Sequence, residues 1–198
     1  MKSVLSTLLI LLFINGTAKT QQLSYKDSIT SFQKNYVATH EIVKGSDRDF
    51  FRFFKPDPTY RVVARFEKLP DTTGFIMKTS GSRKSTYLRY GILYFTINNI
   101  SLHLTIYQSK TSLPDPAYKN YLFVPFTDLS SGEASYGGGR YLDYFIEDIK
   151  NGYLTIDFNK CYNPYCAYAS GFSCPIPPIE NNLPITIKAG EMEFAKKH

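Results

Sequence analysis

"STYLRYGILYFTINNISLHLTIYQS", residues 85–109, decides the fold. Two runs rich in Tyr, Phe, Ile, Leu and Thr flank Asn98-Asn99. Aromatic and β-branched side chains suit a pleated, half-buried surface. Asparagine tolerates the positive φ that a two-residue hairpin turn requires. The stretch therefore predicts two antiparallel strands joined by a tight turn. In the second run Leu102, Leu104 and Ile106 fall on one face, and His103, Thr105 and Tyr107 on the other.

The same alternation extends in both directions. "YRVVARFE" (60–67) sets Tyr60, Val62, Ala64 and Phe66 against Arg61, Arg65 and Glu67, which predicts a half-buried strand. "GFIMKTS" (74–80) predicts another. "YLFVPF" (121–126) is a strand with an internal proline, a residue confined to sheet edges and bulges. "YLDYFIED" (141–148) and "YLTIDF" (153–158) flank Asn151-Gly152, the strongest hairpin signal in the chain, and are predicted to pair. "LPITIKAG" (183–190) predicts a last strand. Upstream, "SYKDSITSFQKNYVA" (24–38) places Tyr25, Ile29, Phe32 and Tyr36 at helical spacing, with Ser24 and Asp27 as a capping box. The phenylalanines of "GSDRDFFRFFKPDP" (45–58) predict a buried turn or short strand ended by its prolines. The sum is a mainly β chain: one antiparallel sandwich or partly open barrel of about eight strands with one N-terminal helix.

The chain has 198 residues, 43% hydrophobic and 20% charged, a composition for one folded domain. The formal net charge is +6, but the lysines and arginines are scattered without a basic stripe, which argues against a nucleic-acid partner. Lys2, the apolar run "VLSTLLILLFI" (4–14), and Gly16 with Ala18 have the three parts of a secretory signal peptide cleaved after Ala18. The apolar run is too short to span a bilayer, and no later stretch is long enough. The expectation is an exported domain over 19–198, periplasmic or extracellular.

Three cysteines, Cys161, Cys166 and Cys174, crowd into "NKCYNPYCAYASGFSC" (159–174). Structural zinc sites pair close cysteines with a second pair elsewhere. Here there is no second pair, and the histidines are His40, His103 and His198, so no metal is expected. Export permits disulfides, and a Cys166–Cys174 bridge would pin the segment and leave Cys161 over. "YGGGR" (136–140) offers either an anion nest with Arg140 or a glycine-rich connection, and the absence of a trailing Lys-Ser/Thr favours the connection. If the Asn-Gly hairpin forms, its strand ends bring Arg140 and Asp143 to Asp157 and Asn159, beside Asn163 and the cysteine loop. A polar pocket and a buried network are both consistent with that rim.

"LFVPFTDLSSGEASYGGGRYLDY" and "LTIDFNKCYNPYCAYASGFSCPIPPIENNLPITIKAGE" resemble the signature of the domain of unknown function 1684 family, over about 122–191. The resemblance implies a β-rich domain without an established activity, and a shared polar set of Asp128, Arg140, Asp143, Asp157, Asn159, Asn163, Cys166, Cys174, Glu180, Asn181 and Glu191. Two functions are expected from these residues. One is binding of a small polar or anionic ligand, or of an envelope partner, through Arg140, Asp143, Asn159, Asn163 and Asn181. The other is hydrolysis with Asp143, Asp157 or Glu180 as acid or base and Arg140 steadying an oxyanion. Neither calls for a cofactor, and the sequence carries no signature of oligomeric state.

Overall fold

The computed structural model describes residues 25–110 and 118–196. The predicted signal peptide, Ser24 of the predicted capping box, most of the loop after residue 110, and His198 lie outside the described residues. A helix, α1, covers 25–39. Seven strands follow: β1 (Arg61–Lys68), β2 (Phe75–Met77), β3 (Ser85–Ile97), β4 (Ile100–Ser109), β5 (Tyr121–Phe126), β6 (Arg140–Phe145) and β7 (Tyr153–Asp157). They form one antiparallel sheet in the order β6-β5-β4-β3-β1-β7, with β2 paired to β3, curled into a half-barrel.

β3 and β4 are the long hairpin of residues 85–109. Asn98 and Asn99 take φ of 50° and 64°, the two left-handed positions of the turn. Leu93, Phe95, Ile97, Leu102, Leu104 and Ile106 face the hollow of the half-barrel, where Ala64, Leu142, Leu154 and Ile156 join them. The outer face of the β3–β6 half is also covered. Met77, Tyr107, Phe123 and Tyr141 are buried there beneath Phe75, Tyr87, Tyr121 and Tyr162. A third cluster around Phe51, Ala167, Tyr168 and Phe194 packs against Tyr36 and Val37 of α1.

Three predicted features come out differently. The segments around Asn151-Gly152 do not pair with each other as strands. The turn itself forms, with Asn151 at φ 52° and reciprocal bonds between Lys150 and Tyr153. However, a 3₁₀ turn at Ile146–Asp148 diverts the chain, so β6 pairs with β5 and β7 pairs with β1. The two strands thus become opposite edges of the sheet. Secondly, 183–190 is not a strand. Leu183, Ile187 and Ala189 fill the mouth of the half-barrel, and side chains take much of their backbone bonding: Arg140 binds the Ile187 and Ala189 carbonyls, and Asp128 binds the Ile187 N–H.

Thirdly, β5 is an interior strand despite Pro125. Tyr107 pairs with Phe123, so Thr105 stands opposite Pro125, which has no N–H to donate. Asn181 fills that breach. Its Oδ1 accepts from the Thr105 N–H at 2.7 Å, and its Nδ2 donates to the Thr105 and Pro125 carbonyls at 2.8 and 2.7 Å. Asn181→Ala strands three buried backbone groups, and unsatisfied groups cost roughly 1–3 kcal/mol each. A loss of about 3 kcal/mol or more in urea unfolding is the expected result; a loss below about 1 kcal/mol would remove Asn181 from this role.

Candidate functional site

Because β6 and β7 do not pair, a gap runs between the sheet's two edges. It is tied at one end by the turn through Asn151-Gly152. At the other end Tyr141 and Tyr162 exchange backbone hydrogen bonds at 2.9 and 3.1 Å. Between these ties lies a cleft of about 450 Å³. β6 contributes Leu142, Asp143 and Tyr144, β7 contributes Leu154, Thr155 and Asp157, and α1 closes the wall with Phe32. Arg61, Asp148, Lys160 and Tyr162 complete it.

Asp143 points away from the core on β6, by strand alternation between inward Leu142 and Tyr144. Its Oδ1 accepts from Tyr121 Oη at 2.6 Å, and both its oxygens accept from Tyr162 Oη at 2.8 Å. The carboxyl group is open to solvent at its outer edge, but the rings around it displace water from the rest. That desolvation raises its pKa above the ordinary carboxylate value, and the two phenol donors oppose the shift. Desolvation and the neighbouring Asp143 charge push both phenols well above their usual value, so they remain donors.

Asp157 is buried at the end of β7. Its Oδ1 accepts from Tyr25 Oη at 2.9 Å and from both the backbone N and Nδ2 of Asn159 at 3.1 Å. Asn159 in turn clasps the backbone of Asp57, accepting at 2.9 Å and donating at 2.8 Å. This network moors the start of α1 to the sheet edge. Lys160 brings its Nζ 5.5 Å from the Phe32 ring, a cation beside the cleft's aromatic wall.

The residues of the expected rim therefore separate. Asp143 and Asp157 line one cleft, and Asn159 lies behind it, holding Asp157. Arg140, Asn163 and Asn181 are completely buried. Arg140 pairs with Asp128 at 3.1 Å, both side chains fully enclosed. Of the three glycines before it, only Gly139 has a positive φ, +86°; a Cβ there would sit 2.6 Å from the Phe126 carbonyl. The "GGGR" segment is thus a packed connection. Asn163 donates its backbone N–H to Glu191 and its Nδ2 to the Met192 carbonyl, both within 2.9 Å. Glu180 lies outside the cleft, accepting from Arg89 at 3.2 Å and Tyr107 at 3.1 Å.

Cys166 and Cys174 form a disulfide, and Cys161 is a buried free thiol whose pKa burial pushes up to about 11. A thiol so held is protonated at neutral pH and a poor nucleophile. His40 is buried too. Its Nδ1 accepts from the Val43 N–H, and Tyr168 packs edge-on to its ring at 4.6 Å between centroids. Among the described residues no group of three His, Cys, Asp or Glu side chains is placed to hold a metal, and no helix is long and apolar enough to cross a membrane.

Arg61, Tyr144, Lys160 and Tyr162 were not singled out from the sequence. Arg61 reads there as a polar-face position of the strand 60–67. Tyr162 carried the one available signal, its place in the "YNP" of the cysteine loop.

A one-sheet antiparallel half-barrel, with a polar cleft where its edges fail to meet and a helix across the gap, defines the class of this protein. The chain belongs to the family described as protein of unknown function (DUF1684), whose model matches residues 49–192. Among solved structures it is similar to the solution NMR structure of an uncharacterized protein of Haloarcula marismortui. The two share 32% identity over 90% of this chain and 95% of the other, with a TM-score of 0.62. No curated protein matches the chain.

Proposed function

We propose that this chain is an exported domain that binds a small polar ligand in the cleft between β6 and β7. The observation that carries the reading is that Asp143 and Asp157, from two edges that do not pair, line the same cavity. The volume suits one small molecule. Three carboxylates, Asp143, Asp148 and Asp157, face two cations, Arg61 and Lys160, with Thr155 and two phenols among them. Such a lining favours a hydroxylated or zwitterionic molecule, which can donate to the carboxylates and accept from the cations, over a simple anion.

Backbone amide NMR shifts during titration with glucose, serine and inorganic phosphate test this. Glucose or serine is expected to shift Tyr144, Thr155 and Lys160, and phosphate alone is not. Asp143→Asn and Lys160→Ala are each expected to weaken the binding roughly tenfold, the loss of about 1.4 kcal/mol. Absence of cleft shifts with all three probes rejects the reading.

A second reading is acid–base hydrolysis, favoured by one group: Asp143, with its raised pKa between two phenol donors. It would appear as turnover lost in Asp143→Asn while ligand binding persists.

Export fits the disulfide, because such bonds persist in oxidising compartments. Intact mass measurement on the protein recovered outside the cytoplasm should give a chain starting at Lys19, with Cys161 alone accepting an alkylating reagent after denaturation. A retained N-terminal segment, or three alkylated cysteines, would count against export.

A further inference from the structure

A second cavity, of about 500 Å³, lies on the other side of Tyr162. Tyr162 lines both cavities, and its hydroxyl holds Asp143. Rings dominate the second cavity. Tyr141 and Tyr162 meet edge to face at 5.9 Å, and Tyr165 and Phe172 meet edge to face at 5.4 Å. Pro164 and Pro175 stand among them, and among the described residues Arg83 is the one charged residue on the wall.

The framework is fixed in several ways. The Cys166–Cys174 disulfide joins the two arms of the loop that carries these residues. Ser80 ties that loop to the chain after β2: its Oγ accepts from the Cys174 N–H at 3.0 Å, and its backbone N–H donates to the Cys174 carbonyl at 2.9 Å. Tyr141 Oη donates to the Pro175 carbonyl. Side chains locked in this manner lose little freedom when a ligand enters, the condition for a pre-formed pocket. Aromatic faces and proline rings favour a planar or ring-shaped guest, and the Arg83 guanidinium on the wall favours a negative substituent on it.

We propose that this cavity is a subsite for a small ring bearing an anionic group, and that it and the cleft hold parts of one ligand, with Tyr162 as their shared wall. The inference rests on the cleft reading for the second statement only. Occupancy of the ring subsite presses on Tyr162 and so perturbs the hydrogen bonds it makes to Asp143.

Phenyl phosphate, phenol and inorganic phosphate are the probes, followed by amide NMR and by the ¹³Cγ resonance of Asp143. Phenyl phosphate is expected to shift Tyr165, Phe172 and Cys174, and to move the Asp143 carboxyl signal. Phe172→Leu should weaken phenyl phosphate at least tenfold. Arg83→Gln should reduce its affinity to that of phenol and leave phenol unchanged. Both positions are at least partly open to solvent, so the variants are expected to fold. Binding of phenyl phosphate that ignores Phe172→Leu, or inorganic phosphate binding as tightly, overturns the ring subsite. Shifts at Tyr165 and Phe172 with a stationary Asp143 signal overturn the shared ligand. The glucose and serine titrations report on the cleft independently of either result.

Discussion

Arg140→Met is expected to leave too little folded protein to purify, or to shift the urea midpoint by most of the fold's stability. The guanidinium is completely enclosed. It donates to the Ala189, Ile187 and Glu191 carbonyls at 2.6, 2.9 and 3.1 Å, to Asp128 at 3.1 Å and to Ser130 at 3.3 Å. The irregular segment 183–190 depends on these bonds in place of a strand ladder. Removing one member of a buried ion pair costs about 3–5 kcal/mol, because the other is left charged and unpaired. The stranded carbonyls add roughly 1–3 kcal/mol each, against a total stability of about 5–15 kcal/mol for a domain. Arg140→Lys keeps the charge but lacks the fork that reaches five acceptors, and should fall in between. The double change Arg140→Met with Asp128→Leu should recover part of the loss, since no lone charge remains. A freely folding Arg140→Met protein would show that segment 183–190 is held by its apolar side chains alone.

The second large effect is with pH. Glu191 is fully buried where α1, the cysteine loop and the C-terminal segment converge. Its oxygens accept from Tyr168 Oη at 2.8 Å and from the Asn163 N–H at 2.9 Å. Burial raises its pKa from 4.5 to about 8 despite those donors. The folded protein therefore retains a proton there that the unfolded chain releases. The corresponding stability is fully present below about pH 4.5 and is lost as pH rises to about 8. A shift of this size corresponds to roughly 4–5 kcal/mol over the whole interval. His40 has the opposite sign. Burial lowers its pKa from 6.5 to about 4, so its contribution is present above pH 6.5 and lost as pH falls. The two oppose each other between pH 4.5 and 6.5; above 6.5 the His40 contribution is complete, while that of Glu191 goes on declining to about pH 8. Urea unfolding should show stability declining across that upper window, and Glu191→Gln should abolish the decline. An unchanged slope in the variant would assign the titration elsewhere.

Much of the sheet could be read from alternation. β3, β4 and their Asn98-Asn99 turn follow from local residue preference, and the alternating faces of β1 identify its buried side. What could not be read was which strand lies beside which. Asn151-Gly152 specifies a tight turn, and the turn is there. Pairing beyond it depends on whether β6 gains more from β5 and β7 more from β1, a comparison among distant residues. Of the residues expected on one rim, Asp143 and Asp157 line the same cavity, but they reach it across an unpaired gap and not through a hairpin. Arg140, Asn163 and Asn181 show a different limit. Buried networks and ligand sites draw on the same residue types, and only burial tells them apart. Asn181 is the clearest instance, since its carboxamide replaces a bond that Pro125 cannot make. Sequence reveals that the donor is missing but not the residue, 56 positions away, that compensates for it.

The unpaired gap between β6 and β7 also bears on solubility. Exposed sheet edges present open rows of N–H and C=O groups that recruit strands from other molecules. Here the two edges face each other at a separation maintained by ties at both ends, and α1 lies along them, anchored by Tyr25 to Asp157 and contributing Phe32 to the wall. The arrangement leaves room for a small guest while denying entry to a foreign strand. A chain truncated before residue 40 would lose that guard, and self-association through the bared edges should be its first visible defect.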